Sequence, residues 1–218
     1  YTAVCASTSK VYCVGWLQDG SPGFTPYADE YNPVSNTWSR LPNMPVGRIA
    51  HGAGVIGDYL YVISGFTDPG WNAQDPSCYR INLNSKTAWE RIPDIPMGRR
   101  DFGTAVTGSN LYVIGGNIDE PRSVMREVHH YWAGGNAWFT DNPMNVGRRY
   151  PACAAPDPTK PWIAAIGGID NQSVNAVEAF DGTNWTKNPL TMPRAFPSIT
   201  TRSSISRRGK SFTCPALT

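Results

Sequence analysis

No stretch of the 218 residues approaches the ~18 consecutive apolar positions of a membrane-spanning helix, so its 40% hydrophobic content is dispersed as in a folded core. The chain also lacks a Cys-x-x-Cys pair, a Gly-x-Ser-x-Gly elbow and a phosphate-binding glycine loop. Those absences remove the usual signatures of zinc, redox, acyl-transfer and nucleotide chemistry. Histidine is scarce, with only His51, His129 and His130. The adjacent pair sits on a strand-like stretch, where successive side chains point to opposite faces and do not converge on one metal. The expectation is a chain with no catalytic residues, no metal and no cofactor, and therefore not an enzyme.

Charge is equally sparse, 17% of residues with a net of +2. The excess lies in Arg202, Arg207, Arg208 and Lys210, beyond Thr201, where no acid occurs. The body is faintly acidic and has no basic stripe of the kind that displaces counterions from nucleic-acid phosphates. Neither nucleic acid nor a membrane span is expected. The five cysteines, Cys5, Cys13, Cys78, Cys153 and Cys214, are odd in number and widely spaced. They read as buried thiols acting as small apolar residues, with one or two bridges in a secreted protein as the alternative. The sequons at Asn171 and Asn184 are candidate N-glycosylation acceptors that suit the second case. No targeting signal is visible, and both a cytoplasmic and a secreted location fit.

What the sequence does have is glycine (21) and proline (19), spread at turn-like positions, and a repeat. "WSRLPNMPVGRIAHGAG" at 38–54 returns as "WERIPDIPMGRRDFGTA" at 89, "WFTDNPMNVGRRYPACA" at 138 and "WTKNPLTMPRAFPSIT" at 185. Trp38, Trp89, Trp138 and Trp185 are 51, 49 and 47 residues apart, a period typical of propellers and solenoids. Each period holds four short strand-like runs. The second recurs as "VYCVGW", "YLYVISGF", "NLYVIGGN" and "WIAAIGGI", a continuous apolar run ending in Gly, as expected of a strand covered on both faces. The Trp falls on the fourth run, where its ring can bridge adjacent sheets, and the prolines after it stop the ladder so that the chain turns inward.

This pattern resembles the kelch-repeat β-propeller family: Gly-Gly ending the second strand, an aromatic seven residues before the Trp (Tyr31, Tyr131), and a trailing Pro-x-x-Arg-like element. Gly15-Trp16 and Ser64-Gly65 depart from Gly-Gly, Ile81 replaces the aromatic, and Phe180 stands closer to its Trp. The resemblance covers residues 1–201 and implies an all-β propeller of four-stranded antiparallel blades at about 2–41, 49–92, 102–142 and 150–189. A fifth inner strand begins at Phe196, and 202–218 read as a basic tail or incomplete blade. The chain is then either a compact four-bladed ring or part of a longer propeller.

Arg48, Arg99, Arg100, Arg148, Arg149 and Arg194 recur at one repeat position, which the symmetry gathers near the channel rim. The resemblance implies a partner-binding face there, while carbonyls or acids of neighbouring turns could equally engage their donors. The loops after the second strands add Trp16, Phe24 and Trp71 as candidate contacts. The expected function is a non-catalytic scaffold that binds another protein through one loop face. Two alternatives fit: an extracellular carbohydrate-binding propeller, and the non-catalytic part of a larger secreted oxidase.

Overall fold

The computed structural model describes residues 2–17, 23–68, 70, 74–118, 123–170 and 172–187. Each repeat folds as one antiparallel four-stranded sheet. Blade 1 contains β1 (Ala3–Ala6), β2 (Val11–Val14), β3 (Ala28–Asn32) and β4 (Thr37–Arg40). Blade 2 contains β5 (Gly52–Ile56), β6 (Tyr59–Ile63), β7 (Cys78–Asn82) and β8 (Trp89–Ile92). Blade 3 is built from β9 (Gly103–Thr107), β10 (Asn110–Ile114), β13 (Val128–Trp132) and β14 (Ala137–Asp141), with a two-stranded ribbon of β11 (Asn117–Ile118) and β12 (Ser123–Val124) in its loop. Blade 4 repeats that plan with β15 (Ala152–Ala154), β16 (Ile163–Ile166), the ribbon β17 (Ile169–Asp170) and β18 (Gln172–Ser173), then β19 (Val177–Phe180) and β20 (Trp185–Lys187). The inner strands β1, β5, β9 and β15 are successive neighbours, which arranges the blades as a propeller. The expected strand from Phe196 and the segment 202–218 lie outside the described residues.

The second strands of blades 2 and 3 are covered on both faces because each of those blades is sandwiched between neighbours. Leu60, Tyr61, Val62 and Ile63 are all buried, as are Leu111, Tyr112, Val113 and Ile114. The core is therefore three apolar layers, one per joint. Cys5, Tyr12 and Val14 meet Leu60, Val62 and Ile81. Ile63, Cys78 and Ile95 meet Leu111, Val113 and Tyr131. Tyr112, Ile114 and Met144 meet Ile163, Phe180 and Trp185. The small residues of the inner strands follow from this crowding: a Cβ on Gly54 would stand 2.7 Å from Leu111 and 2.8 Å from Val106 of the next blade.

At the outer edge the tryptophans act as joints. Trp89 Nε1 donates to the Pro42 carbonyl of the preceding blade at 2.7 Å, and Trp138 Nε1 to that of Pro93 at 2.8 Å. Proline serves twice here, ending its own strand and offering a carbonyl to the neighbour. Lys86 adds a charged tie from blade 2 to Glu30 of blade 1, at 2.9 Å, beside Lys10. Burial pushes the Glu30 carboxyl up, but hydrogen bonds from the two lysines outweigh it and hold its pKa below the ordinary value. Cys5, Cys13, Cys78 and Cys153 are unbridged, and burial pushes the Cys5, Cys78 and Cys153 thiols up to about 12. No helix among the described residues is long and apolar enough to cross a membrane.

The Trp–Pro joint separates into two measurable parts. Trp138→Phe keeps most of the packing and loses the indole hydrogen bond, an expected cost of about 1 kcal/mol in urea unfolding. Trp138→Ala loses both, and for this half-buried side chain the expected cost is about 2–3 kcal/mol.

Candidate functional site

The loops between second and third strands share one face of the propeller with the segments that cross from each outer strand to the next inner strand. Strands two and three part at the base of each loop, so carbonyls there lose their ladder partners. Buried carbonyls need donors. Arg48, Arg99 and Arg148, each 0% exposed, supply them. Arg48 Nη1 donates to the Ser64 and Ser77 carbonyls at 2.8 and 2.9 Å, and Nη2 to the Ser77 hydroxyl at 2.9 Å. Arg99 Nη1 reaches the Gly115 and Glu127 carbonyls at 3.3 and 3.0 Å, and Nη2 reaches His129 Nδ1 at 2.8 Å. Arg148 Nη1 reaches the Gly167 and Ala176 carbonyls at 3.2 and 2.8 Å, with Nη2 ion-paired to the fully buried Glu178.

The main chain of the same residues belongs to the blade before. The Gly65 amide donates to the Arg99 carbonyl at 3.1 Å, and the Gly116 amide to that of Arg148 at 2.9 Å. Arg99 and Arg148 are thus staples, held by backbone in one blade and by guanidinium in the next, and Arg48 makes the guanidinium half of the same contact in blade 2. Gly15, Gly115 and Gly167 take φ of 53°, 63° and 64° at the turn where the loop begins. A Cβ on Gly115 would stand 2.5 Å from the Arg148 carbonyl. Ser64 adopts the same left-handed conformation, φ 53°, and its hydroxyl bonds the Arg99 amide and carbonyl, each at 2.9 Å.

One residue beyond Arg99 and Arg148 the surroundings change, whereas Ile49 beyond Arg48 is fully buried. Arg100 and Arg149 are partly exposed and pair by backbone with Asn117 and Ile169. The Arg100 guanidinium lies 5.0 Å from the Phe66 ring of blade 2 and 3.1 Å from Asp101, while that of Arg149 lies 5.7 Å from the Tyr150 ring. The structure therefore divides the arginines of the repeat into a covered row and a row reachable from the loop face. Trp16 and Phe24 lie half-buried on that face, the Trp16 ring 5.6 Å from that of Tyr27 and tilted 52° to it. Asn184 is exposed in the β19–β20 turn, on the opposite face, where it accepts from Asn142 at 3.2 Å. Trp71, Arg194 and Asn171 lie outside the described residues.

Three residues that pattern reading does not reveal complete the face. Ala50, Asp101 and Tyr150 follow the arginines with φ of 53°, 58° and 55°, a left-handed state costing a side-chain-bearing residue about 1 kcal/mol or more. In that conformation the Asp101 amide donates to the Ala50 carbonyl at 3.2 Å and the Tyr150 amide to the Asp101 carbonyl at 2.5 Å. A collar of backbone hydrogen bonds thereby runs from blade to blade. His51 sits beneath it, wedged between the turns at Gly15 and Gly65.

Residues 1–45, the first blade, match the family model described as the Kelch motif. The same four-strand plan recurs in the blades after it, so the repeats are similar to the Kelch motif throughout. The chain is 29% identical over 120 residues to Kelch-like protein terF of Aspergillus terreus, covering 53% of this chain and 26% of that protein. It is 27% identical over 180 residues to beta-scruin of Limulus polyphemus, covering 75% of this chain and 19% of that one. The chain therefore spans about a quarter or less of either relative's length. The solved structure of YjhT matches with a TM-score of 0.74 at 13% identity, covering 89% of this chain and 71% of the other, a likeness of fold. Among the described residues no group of three or more His, Cys, Asp or Glu side chains could hold a metal ion.

Removing a kelch staple should leave a buried charge behind. Arg148→Met strands Glu178 and is expected to cost about 3–5 kcal/mol. Arg148→Met/Glu178→Gln should recover roughly half, because the buried charge is gone and the amide oxygen still serves one of the Asn145 and Val146 amides, which Glu178 accepts on separate oxygens. The histidines predict an acid slope. Burial and the nearby Arg99 pull His129 down to about 4, and burial and Arg48 pull His51 to about 3. The unfolded chain takes these protons first, near 6.5. Stability is then full above pH 6.5 and falls as the pH drops toward 4. Thermal melts across that range should show a shallower slope for His129→Gln than for the parent.

Proposed function

We propose that this kelch propeller is a non-catalytic scaffold that binds a protein partner across the face carrying the loops and the collar. The reading rests on one observation: the loop bases of blades 2, 3 and 4 are each locked by a buried guanidinium while a second row of arginines, Arg100 and Arg149, stays reachable. A surface fixed before a partner arrives loses little conformational freedom on docking, so more of the contact energy appears as affinity. Arg100 and Arg149 present guanidinium groups beside aromatic rings, a combination suited to carboxylates or exposed backbone carbonyls of a protein. Trp16 and Phe24 extend the same face with apolar area. Kelch-like relatives share the repeat, which supports the class of function and leaves the partner to this chain's own loops.

The test compares three forms of the protein. Arg100→Glu/Arg149→Glu reverses the reachable row, and Asp58→Lys alters the opposite, hairpin face. Proteins retained from native extract by the parent are identified by mass spectrometry, and the principal one is titrated calorimetrically against all three. The expected result is a loss of at least tenfold in affinity for the arginine variant alone, with unchanged melting temperature. Equal affinity in all three would end the loop-face reading.

A further inference from the structure

One position of the repeat opens every loop. Leu17, Phe66, Asn117 and Ile169 each follow the left-handed turn that ends a second strand, and each pairs by backbone across the base of its loop. Three of the four are apolar. Asn117 is polar, yet it is only 2% exposed. Its Oδ1 is buried and has no donor among the described residues. A buried oxygen left unsatisfied is costly enough to need a reason.

The crossing from blade 3 to blade 4 brings a second such atom beside it. The Gly116 amide, one residue before Asn117, donates to the Arg148 carbonyl at 2.9 Å, and the Tyr150 amide donates to the Asp101 carbonyl. Arg149 is held between those two bonds, against the backbone pair of Arg100 with Asn117. The joint one blade earlier shows where such a side chain goes, because the Arg100 guanidinium lies 5.0 Å from the Phe66 ring. By the same repeat geometry Asn117 takes the place of that ring beneath Arg149. The Arg149 Nε–H is likewise buried, with no acceptor among the described residues. One unsatisfied donor and one unsatisfied acceptor thus share a joint on the loop face.

We propose that this joint is a subsite for a primary carboxamide, the side chain of an asparagine or glutamine of the protein partner, an inference that rests on the loop-face reading above. The carboxamide oxygen accepts from Arg149 Nε, and its amino group donates to Asn117 Oδ1. A carboxylate offers acceptors only and would set an oxygen against Oδ1. A trans peptide bond points its C=O and N–H in opposite directions, so it serves one of the two atoms and not both. A primary amide presents acceptor and donor on one edge. Water can bridge the pair before docking, and a group that reproduces both of its bonds displaces it without loss.

The test selects random linear peptides displayed on phage against the parent protein, discarding those that the Arg100→Glu/Arg149→Glu variant also retains. Each selected peptide is resynthesised with its asparagines and glutamines changed one at a time to aspartate and glutamate. The pairs are titrated calorimetrically against the parent, Asn117→Leu and Asn117→Ile, whose new residues are those of blades 1 and 4 at this position and so suit the fold. The expected result is one amide position at which the acid weakens binding to the parent by about tenfold or more, and binding to the Asn117 variants by less than about twofold. Selected peptides with no such position, or an acid effect that survives in both variants, overturn the carboxamide subsite and leave the loop-face reading standing. The two atoms then hold water alone. If no peptide distinguishes the parent from the arginine variant, the loop-face reading fails and the subsite with it.

Discussion

The structure depends on what happens where two strands of a sheet part to make a loop. Their last carbonyls are buried and lose the ladder that satisfied them, and an unpaired buried carbonyl costs about as much as a lost hydrogen bond. A guanidinium is suited to such a fork because it is planar, carries only donors, and reaches several acceptors at once. Taking the cation out of water is itself costly, and burial pulls Arg99 down to about 10, still charged at neutral pH. The two problems offset each other: the carbonyls solvate the arginine and the arginine completes the carbonyls. Because its backbone is bonded to the preceding blade, the same residue also sets how one sheet meets the next.

The side-chain partners of the three staples differ in chemistry and, for Arg48, in place. His129 and Glu178 each lie 30 residues after Arg99 and Arg148 and share one register position, which Tyr79 holds in blade 2 with its ring 5.3 Å from the Arg48 guanidinium. The Ser77 hydroxyl that Arg48 reaches stands two residues before that position, and such varied partners do not look alike to pattern reading. The blades themselves were legible because large, unusual residues mark them: tryptophan at the joint, proline at the exit, glycine at the turn. The collar was not, since left-handed backbone at Ala50, Asp101 and Tyr150 carries no glycine or asparagine to announce it. The arginine pairs were legible as a cluster, but neighbouring positions of a crossing segment face opposite ways, and only the fold shows which of them is enclosed.

This division ties stability to function. The arginines that hold the loops of blades 2 to 4 are enclosed, so changes at Arg100, Arg149, Trp16 or Phe24 leave those supports in place. Partner preference can then alter without loss of fold, which is the usual advantage of loops on a rigid sheet scaffold. The left-handed collar residues add strain to the same rim, held there by the backbone hydrogen bonds between blades.

Collar and tryptophan joint lie at opposite ends of each blade, and their separation has a mechanical meaning. Three interstrand spacings put them about 14 Å apart, so a blade rocking by ~10° about its inner strand would move its outer edge by roughly 2.5 Å. That displacement is far beyond what the 2.7 and 2.8 Å bonds to Pro42 and Pro93 tolerate. A hydrogen bond at the end of such a lever arm limits the tilt of a whole sheet to a few degrees, although it is one weak bond among many. The blades are braced like spokes fixed at both hub and tyre, and the loop tips they carry inherit that stillness.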